Sequence, residues 1–277
     1  MKYRFIDLFA GAGGLSEGFI RAGYEPIAHI EMDHYACDSL KTRAAFHYLK
    51  ENGKLEIYEE YLKNKKEKTD GSWLWNQVPK SVIDSVIQEA IGKETLPSLF
   101  ERVDKLCNGK PVDMIIGGPP CQAYSVAGRA RLGKKIEEDP RNDLYKFYVE
   151  FLKRYKPKMF VFENVLGIFT AKGGEPFRDL IRLVRELDYN IDFREQIASQ
   201  HGVLQKRHRV IIVGWQNKRD TQEDTSYHYP YLLEEQMPYK MMRDLFCDLP
   251  IVKAGEGTLC GIVHYTKPLS DMEYLKK

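Results

Sequence analysis

The sequence predicts an α/β fold, a mostly parallel sheet with helices on both faces. Short apolar β-prone runs recur along the chain, and amphipathic helical patterns separate them. Glycine- or proline-rich turns fall at the carboxyl ends of several runs. The first four elements follow in βαβα order, which calls for right-handed crossovers and parallel strands. Arg4 to Phe9 is the first such run, and it breaks into Ala10-Gly-Ala-Gly-Gly14. Leu15 to Ala22 reads as a helix stopped by Gly23. Pro26 to Ile30 is the second strand, ending in Glu31-Met32-Asp33, and a helix runs from Tyr35 to about Leu49.

Residues 51–70 carry 11 charges in 20 positions and read as an exposed, mobile start to a longer charged insertion, about 51–110. Within it Ser81 to Ile91 has a helical apolar face, with Gly92 behind it. The sheet resumes at Val112 to Ile116. Asp143 stands at the cap of an amphipathic helix through Leu144, Phe147, Tyr148, Phe151 and Leu152, which ends before Pro157. Met159 to Phe162 is a buried-type strand, and Pro176 opens another helix. Ile191 to Ile197 and Val210 to Trp215 are two further strands joined by a basic loop. Beyond Asn217 the pattern fades into polar coil, with one short helix near Met241. The division expected is a domain over 1–216 and an extension over 217–277.

The composition excludes several classes. With 277 residues, 43% hydrophobic and 30% charged, the chain supports a sizeable core. Lys+Arg 42 against Asp+Glu 40 gives a net charge of +2, too small for a histone-like binder held by bulk charge, although a local basic groove stays open. No run of eighteen apolar residues occurs and the start lacks a signal-peptide core, so neither membrane span nor export is expected. Five cysteines (37, 107, 121, 247 and 260) without a CxxC pair argue against a disulfide scaffold and for a reducing cytoplasm. Cys247, Cys260 and His264 lack metal-site spacing, so no metal is expected.

Four motifs carry chemistry. The loop Asp7-Leu-Phe-Ala-Gly-Ala-Gly-Gly14 lets backbone approach a ligand at a helix N-terminus, and Glu31 ends the next strand where ribose hydroxyls lie. It is neither a dinucleotide fingerprint nor a P-loop; a tight turn that binds nothing is the alternative, with Asp7 as its cap. Gly117-Gly-Pro-Pro-Cys-Gln-Ala-Tyr-Ser125 forces a rigid turn at a strand's carboxyl end and presents Cys121 at the rim, where a nearby cation makes a thiol nucleophilic. The stretch after it, with Arg129, Arg131, Lys134, Lys135 and Arg141, suits phosphates or is a solvated loop. Glu163-Asn-Val follows a strand of four apolar residues, so its carboxyl is partly desolvated, either for acid chemistry or as a cap. In Gln205-Lys-Arg-His-Arg209 the alternation puts Arg207 and Arg209 on one face, able to hold Glu163 and a base carbonyl, with His208 structural on the other.

In this order, from about residue 4 to 253, these motifs resemble the series of DNA (cytosine-5) methyltransferases. The resemblance implies a Rossmann-like methyltransferase fold whose last strand is antiparallel. It implies that S-adenosylmethionine is held by Phe9, Gly11, Gly13, Leu15, Glu31, Met32, Pro120 and Leu144, with Asp7, Ala10 and Gly14 in the same loop. By the same resemblance Cys121 is the nucleophile, Glu163 serves the base N3, and Arg209 holds O2 with Arg207 alongside. Gln122, Ser125, Arg129 and Asn164 then lie at the DNA or behind it. A zinc deaminase is excluded, because Tyr124 stands where a Pro-Cys-x-x-Cys motif needs its second cysteine. The usual proline before the arginine motif is Leu204, and the acidic residue expected near the adenine has no clear place in 51–110. Met237 to Glu256 resembles the stretch that precedes a target-recognition segment, and neither that segment nor the closing motifs are recognisable after it. The expectation is a catalytic part of a restriction-modification enzyme acting on double-stranded DNA, with a second polypeptide supplying recognition. A non-catalytic cofactor or DNA binder and a tRNA cytosine-5 methyltransferase are the alternatives.

Overall fold

A computed structural model describes residues 2–63, 70–120, 143–203, 205–217, 252–253 and 256. Its elements in chain order are β1 (Arg4–Leu8), α1 (Gly14–Arg21), β2 (Glu25–Glu31), α2 (His34–Glu51), α3 (Leu55–Lys63), α4 (Ser72–Trp75), α5 (Lys80–Asp84), β3 (Val86–Gln88), α6 (Leu96–Cys107) and β4 (Met114–Gly117). There follow α7 (Leu144–Tyr155), β5 (Met159–Asn164), α8 (Glu175–Glu186), β6 (Tyr189–Ile197) and β7 (His208–Gln216). The strands form a seven-stranded sheet in the order β3-β2-β1-β4-β5-β7-β6. β1 pairs in parallel with β2 and β4, as do β2 with β3 and β4 with β5, whereas β7 runs antiparallel to β5. The mixed, mostly parallel α/β architecture is therefore the one the sequence predicts, and the antiparallel last strand is the one the resemblance implies.

The two faces of the sheet are filled differently. Ile6, Leu8, Ala28, Ile30, Ile115, Phe160, Phe162 and Ile212 point to the face covered by α6, α7 and α8, where the largest apolar cluster lies. There the buried Tyr148 hydroxyl lies 3.0 Å from the Ile115 carbonyl and 3.1 Å from that of Val161, which ties α7 to two neighbouring strands. The other face carries Phe5, Met114 and Ile116 under Leu15, Phe19 and Ile20 of α1. Farther along that face, Met159 and Val161 of β5 and Ile211 and Trp215 of β7 are only half-buried. Gly214 stands opposite Phe160 because a Cβ there would come within 2.0 Å of the ring.

Three local expectations are corrected. The charged stretch after α2 is not an exposed arm throughout: α3 packs Tyr61 with Leu74 and Val78 against Ala45 and Leu49, a second small core. Charge density misled because such a helix needs only one apolar face, here Ile57, Tyr58 and Tyr61, to dock. The helix expected over Ser81 to Ile91 ends at Asp84, and Val86–Gln88 pairs with His29–Glu31 as an edge strand. Open sheet edge and β-branched residues outweigh the helical spacing. Asp143 is at the cap position of α7 without a capping bond, and its carboxylate pairs with Lys146 at 2.8 Å. Helix α6, opened by Pro97 and buried through Leu99, Val103 and Cys107, lies inside the insertion and was not foreseen.

The chain divides into two compact units, 1–196 with 208–230 and 197–207 with 231–277. In the second, the described part includes a 3-10 turn at Ala198–Gln200, and Ala198 N–H donates to the Arg207 carbonyl at 2.9 Å. The boundaries expected from sequence, 1–216 and 217–277, are a different division. The helix expected near Met241 lies outside the described residues. Among the described residues no helix is long and apolar enough to cross a membrane.

If the small core on α2 is integral to the fold, Leu74→Ala should lower unfolding free energy by about 2–5 kcal/mol, in one cooperative transition. Chemical denaturation followed by circular dichroism measures this; a loss below about 0.5 kcal/mol would show the segment to be peripheral.

Candidate active site

The glycine loop lies between the carboxyl ends of β1 and β2, next to the switch point between β1 and β4 where open α/β sheets bind ligands. Ala10 N–H donates to the Ile30 carbonyl at 3.1 Å and Gly13 N–H to the Ala10 carbonyl at 3.0 Å, which folds the loop back on β2. Glu31 fixes it from the side: Oε2 accepts from Gly11 N–H at 2.8 Å, and Oε1 from Met32 and Asp33 N–H at 2.8 and 2.9 Å. Phe9 adopts φ 57°, a left-handed conformation that costs a non-glycine residue about 1–3 kcal/mol. Gly13 combines φ 84° with contact to Leu40, since a Cβ would meet Leu40 Cδ2 at 2.9 Å. At Gly11 and Gly14 a Cβ would meet nothing within 4 Å, so this backbone faces open space. An open glycine backbone at a helix N-terminus, flanked by an acidic strand end, fits a nucleoside-bearing cofactor. Met32 is 66% exposed beside it, Leu15 and Leu144 are half-buried, and Pro120 is half-buried at the end of the neighbouring turn.

The second half of the site is built by β4, β5 and β7. Gly117 pairs with Leu8, and a Cβ there would lie 2.3 Å from the Leu8 carbonyl oxygen, so only glycine lets β4 close on β1. Gly118 makes room instead for a side chain: its Cβ would stand 2.7 Å from Glu163 Oε2. Glu163 is held from the other side by Arg209, Nε to Oε1 at 2.7 Å. Because β7 is antiparallel to β5, with Ile211 opposite Glu163, Arg209 enters at the carboxyl end of β5 on the same face. Arg209 Nη1 also donates to the His208 carbonyl at 2.7 Å. His208 itself pairs with Glu195 of β6 at 2.6 Å, the structural role its alternation predicts.

Asn164 is 4% exposed and works inward rather than toward solvent. Its amide donates to the Pro119 carbonyl at 3.3 Å, and its carbonyl accepts from Val165 N–H at 2.8 Å. The geometry thus makes Asn164 a brace for the Pro-Pro turn, not a surface group. Cys121, Gln122, Ser125 and Arg129 lie outside the described residues, as does Leu204. Arg207 is exposed and belongs to the second unit. Asp7 is buried, 1% exposed, beneath the loop; desolvation raises its pKa, while His29 beside it and Ser16 work in the opposite direction. Sequence reasoning did not single out His29, although a histidine among Pro26, Ile27, Ala28 and Ile30 was a visible break in an apolar strand. No group of three or more His, Cys, Asp or Glu side chains suited to a metal occurs among the described residues.

The family model for C-5 cytosine-specific DNA methylases matches residues 3–73 and 89–255, and the chain belongs to that family. Among curated relatives, the type II methyltransferase M.Bpa9945I of Bacillus paralicheniformis is 33% identical over 91% of the chain, and M1.HphI of Haemophilus parahaemolyticus 29% identical over all of it. The chain spans 62% of the length of each. A solved E. coli prophage protein assigned as a DNA modification methyltransferase superposes with a TM-score of 0.55 at 25% identity, covering 91% of this chain and 56% of that one.

Glu31→Gln leaves one acceptor oxygen where three backbone N–H groups converge. The substitution should accelerate hydrogen exchange at the Gly11, Met32 or Asp33 amides by about tenfold or more, with little change at Ile6 and Ile115. Unchanged exchange at all three amides would show that Glu31 does not hold the loop.

Proposed function

We propose that this chain is the S-adenosylmethionine-binding and catalytic part of a DNA (cytosine-5) methyltransferase of a restriction-modification system, working in the cytoplasm on double-stranded DNA. The observation that carries the reading is the Glu163–Arg209 pair, seated against Gly118 three residues before Cys121. An ion pair at the rim of the switch point presents a carboxyl and a guanidinium to a planar base carrying a ring nitrogen and a carbonyl.

Phe9, Ala10, Gly11, Gly13, Gly14 and Leu15 hold the cofactor against the loop, with Asp7 beneath it. Glu31 and Met32 flank its nucleoside, and Pro120 and Leu144 close the other side. When bound there, S-adenosylmethionine supplies an electrophilic methyl group on a sulfonium. Cytosine C5 is a weak nucleophile, and the chain's task is to raise its electron density. Cys121 as thiolate adds to C6, forming an S–C6 bond and moving the C5–C6 π electrons onto C5. Glu163 holds a proton at N3 as negative charge develops in the ring, and Arg209 fixes that carboxyl and reaches O2. After C5 is methylated, loss of its proton returns the electron pair and expels the thiolate. The base reaches these groups only outside the stack, so it is flipped out. Gln122, Ser125 and Arg129 contact the DNA around it, and Asn164 holds the turn through Pro119.

Target recognition belongs to a further part of the enzyme, supplied by a second polypeptide. What supports a further part is that the chain spans 62% of the length of the type II methyltransferases M.Bpa9945I and M1.HphI.

Transfer of labelled methyl from S-adenosylmethionine to duplex DNA, with tRNA as the parallel substrate, tests the reading. Cys121→Ser should abolish transfer, and Glu163→Gln should reduce it about 10²–10⁴-fold. Gly118→Ala, which pushes the far end of the Glu163 side chain, should slow it while barely moving the thermal midpoint. Transfer that persists in Cys121→Ser contradicts the mechanism. Transfer to tRNA alone contradicts the substrate, and cofactor binding without transfer under any pairing favours a non-catalytic binder.

A further inference from the structure

The first turn of α7 lacks the support that the rest of the helix has. Asp143 stands at its cap position without making the capping bond, and the carboxylate goes to Lys146 at 2.8 Å instead. Farther along, α7 is fixed by apolar burial through Tyr148, Val149, Phe151 and Leu152. Beside the first turn a cavity of about 690 Å³ opens between α7 and α8, bounded by Asp143, Tyr145, Lys146, Lys172, Glu175 and Asp179. Packing therefore does not close around this end of the helix. A polar contact crosses to α8: the Tyr145 hydroxyl donates to Asp179 Oδ2 at 2.7 Å.

Tyr145 is 7% exposed, with its ring in the main core, and the Asp179 side chain is 23% exposed. Asp179 is bound at both oxygens, because Arg182 Nη2 reaches Oδ1 at 2.5 Å. Arg182 in turn holds Glu186 through Nη1 at 2.6 Å, one turn farther along α8. Partial burial disfavours the Asp179 anion, yet the bonds from Tyr145 and Arg182 outweigh it and hold the carboxyl below its usual pKa. The Tyr145 bond thus runs to a charged acceptor, the stronger class of hydrogen bond. A phenylalanine at position 145 would bury the same ring, so the hydroxyl adds a fixed direction rather than apolar contact.

What the bond fixes is a place. Tyr145 follows Leu144, the half-buried first residue of α7 that the cofactor reading sets against S-adenosylmethionine. Helix ends fray where neither a cap nor packing holds them. We propose that Tyr145 and Asp179 are positioning residues for the cofactor site: their bond pins the first turn of α7 to α8 and holds Leu144 where it meets the ligand. The inference rests on the cofactor reading above. Both residues act through Leu144 and need no contact with the cofactor. With the turn already ordered, binding does not carry the conformational cost of ordering it.

Titration calorimetry of the chain with S-adenosylmethionine tests it. Tyr145→Phe, which removes one oxygen and keeps the ring, should weaken binding by about fivefold. Asp179→Ala should do the same, and combining the two should weaken it no further. In a Leu144→Ala background Tyr145→Phe should no longer change the affinity, since the side chain it positions is gone. Hydrogen exchange of the free chain gives a second readout. In Tyr145→Phe the Tyr148 and Val149 amides, whose helical bonds return to Leu144 and Tyr145, should exchange about tenfold faster, and those of Ile115 and Ile116 should not. Unchanged affinity or unchanged exchange in Tyr145→Phe, additive losses in the double variant, or a loss that persists in the Leu144→Ala background overturns the proposal and leaves the cofactor site standing. A wild-type chain that does not bind S-adenosylmethionine overturns the cofactor reading and this inference with it. If Asp179→Ala fails to fold, Tyr145→Phe and its pairing with Leu144→Ala decide.

Discussion

Much of the candidate site depends on the direction of one strand. Parallel strands bring only their carboxyl ends to the ligand edge, so a site made of them alone collects residues that follow strands. β7 lies antiparallel beside β5, and its amino end therefore reaches the same edge. That reversal brings Arg209, at the start of β7, to Glu163, near the end of β5, and the two side chains meet at 2.7 Å on one face. Gly118 leaves the volume the carboxylate occupies, and Asn164 ties the end of β5 to the carbonyl of Pro119. Three neighbouring strands thus converge on one carboxyl group. The energetic demand of holding a partly buried ion pair is met by geometry supplied from β4, β5 and β7 together.

The cofactor side follows a different physical logic. In the proposed cofactor site the backbone is the ligand surface, so the residues that matter either vacate space or hold the backbone still. Gly11 and Gly14 face open space, Glu31 accepts three N–H bonds, and Phe9 is held in a left-handed conformation. Below the loop, Asp7 and His29 place buried polar side chains where a purely structural core would place aliphatic groups. The two halves meet where β1 and β4 pair, through the Leu8–Gly117 contact that only glycine permits.

Much of this was legible in the sequence, for identifiable reasons. Strands such as Met114–Gly117 and Met159–Asn164 are short apolar runs ended by glycine, proline or a charged residue, and those signals are local. The order of Glu31, Gly118-Pro-Pro-Cys121, Glu163 and Arg209 was sufficient to suggest the site before any contact was known. What escaped depended on partners distant in sequence. β3 takes a helical-looking segment because β2 offers an unpaired edge. The charged stretch after α2 folds because Ala45 and Leu49 present a receiving surface. The space at Gly118 is set by a side chain 45 positions later, and no local pattern encodes it. The pairing of Asp7 with His29 likewise requires the β1–β2 register.

The central claim is that Cys121 attacks a cytosine ring held by Glu163 and Arg209. The most direct measurement uses duplex DNA of mixed sequence containing 5-fluorocytosine, incubated with the chain, the polypeptide that supplies target recognition, and S-adenosylmethionine. Fluorine at C5 cannot leave as a proton does, so the final elimination is blocked and the enzyme stays bound to the base. The account predicts a covalent adduct whose mass equals the Cys121 peptide plus a methylated fluorocytosine nucleotide, absent in Cys121→Ser. Methyl transfer to ordinary cytosine at the same target sites with no such adduct, or an adduct located on another residue, would contradict it.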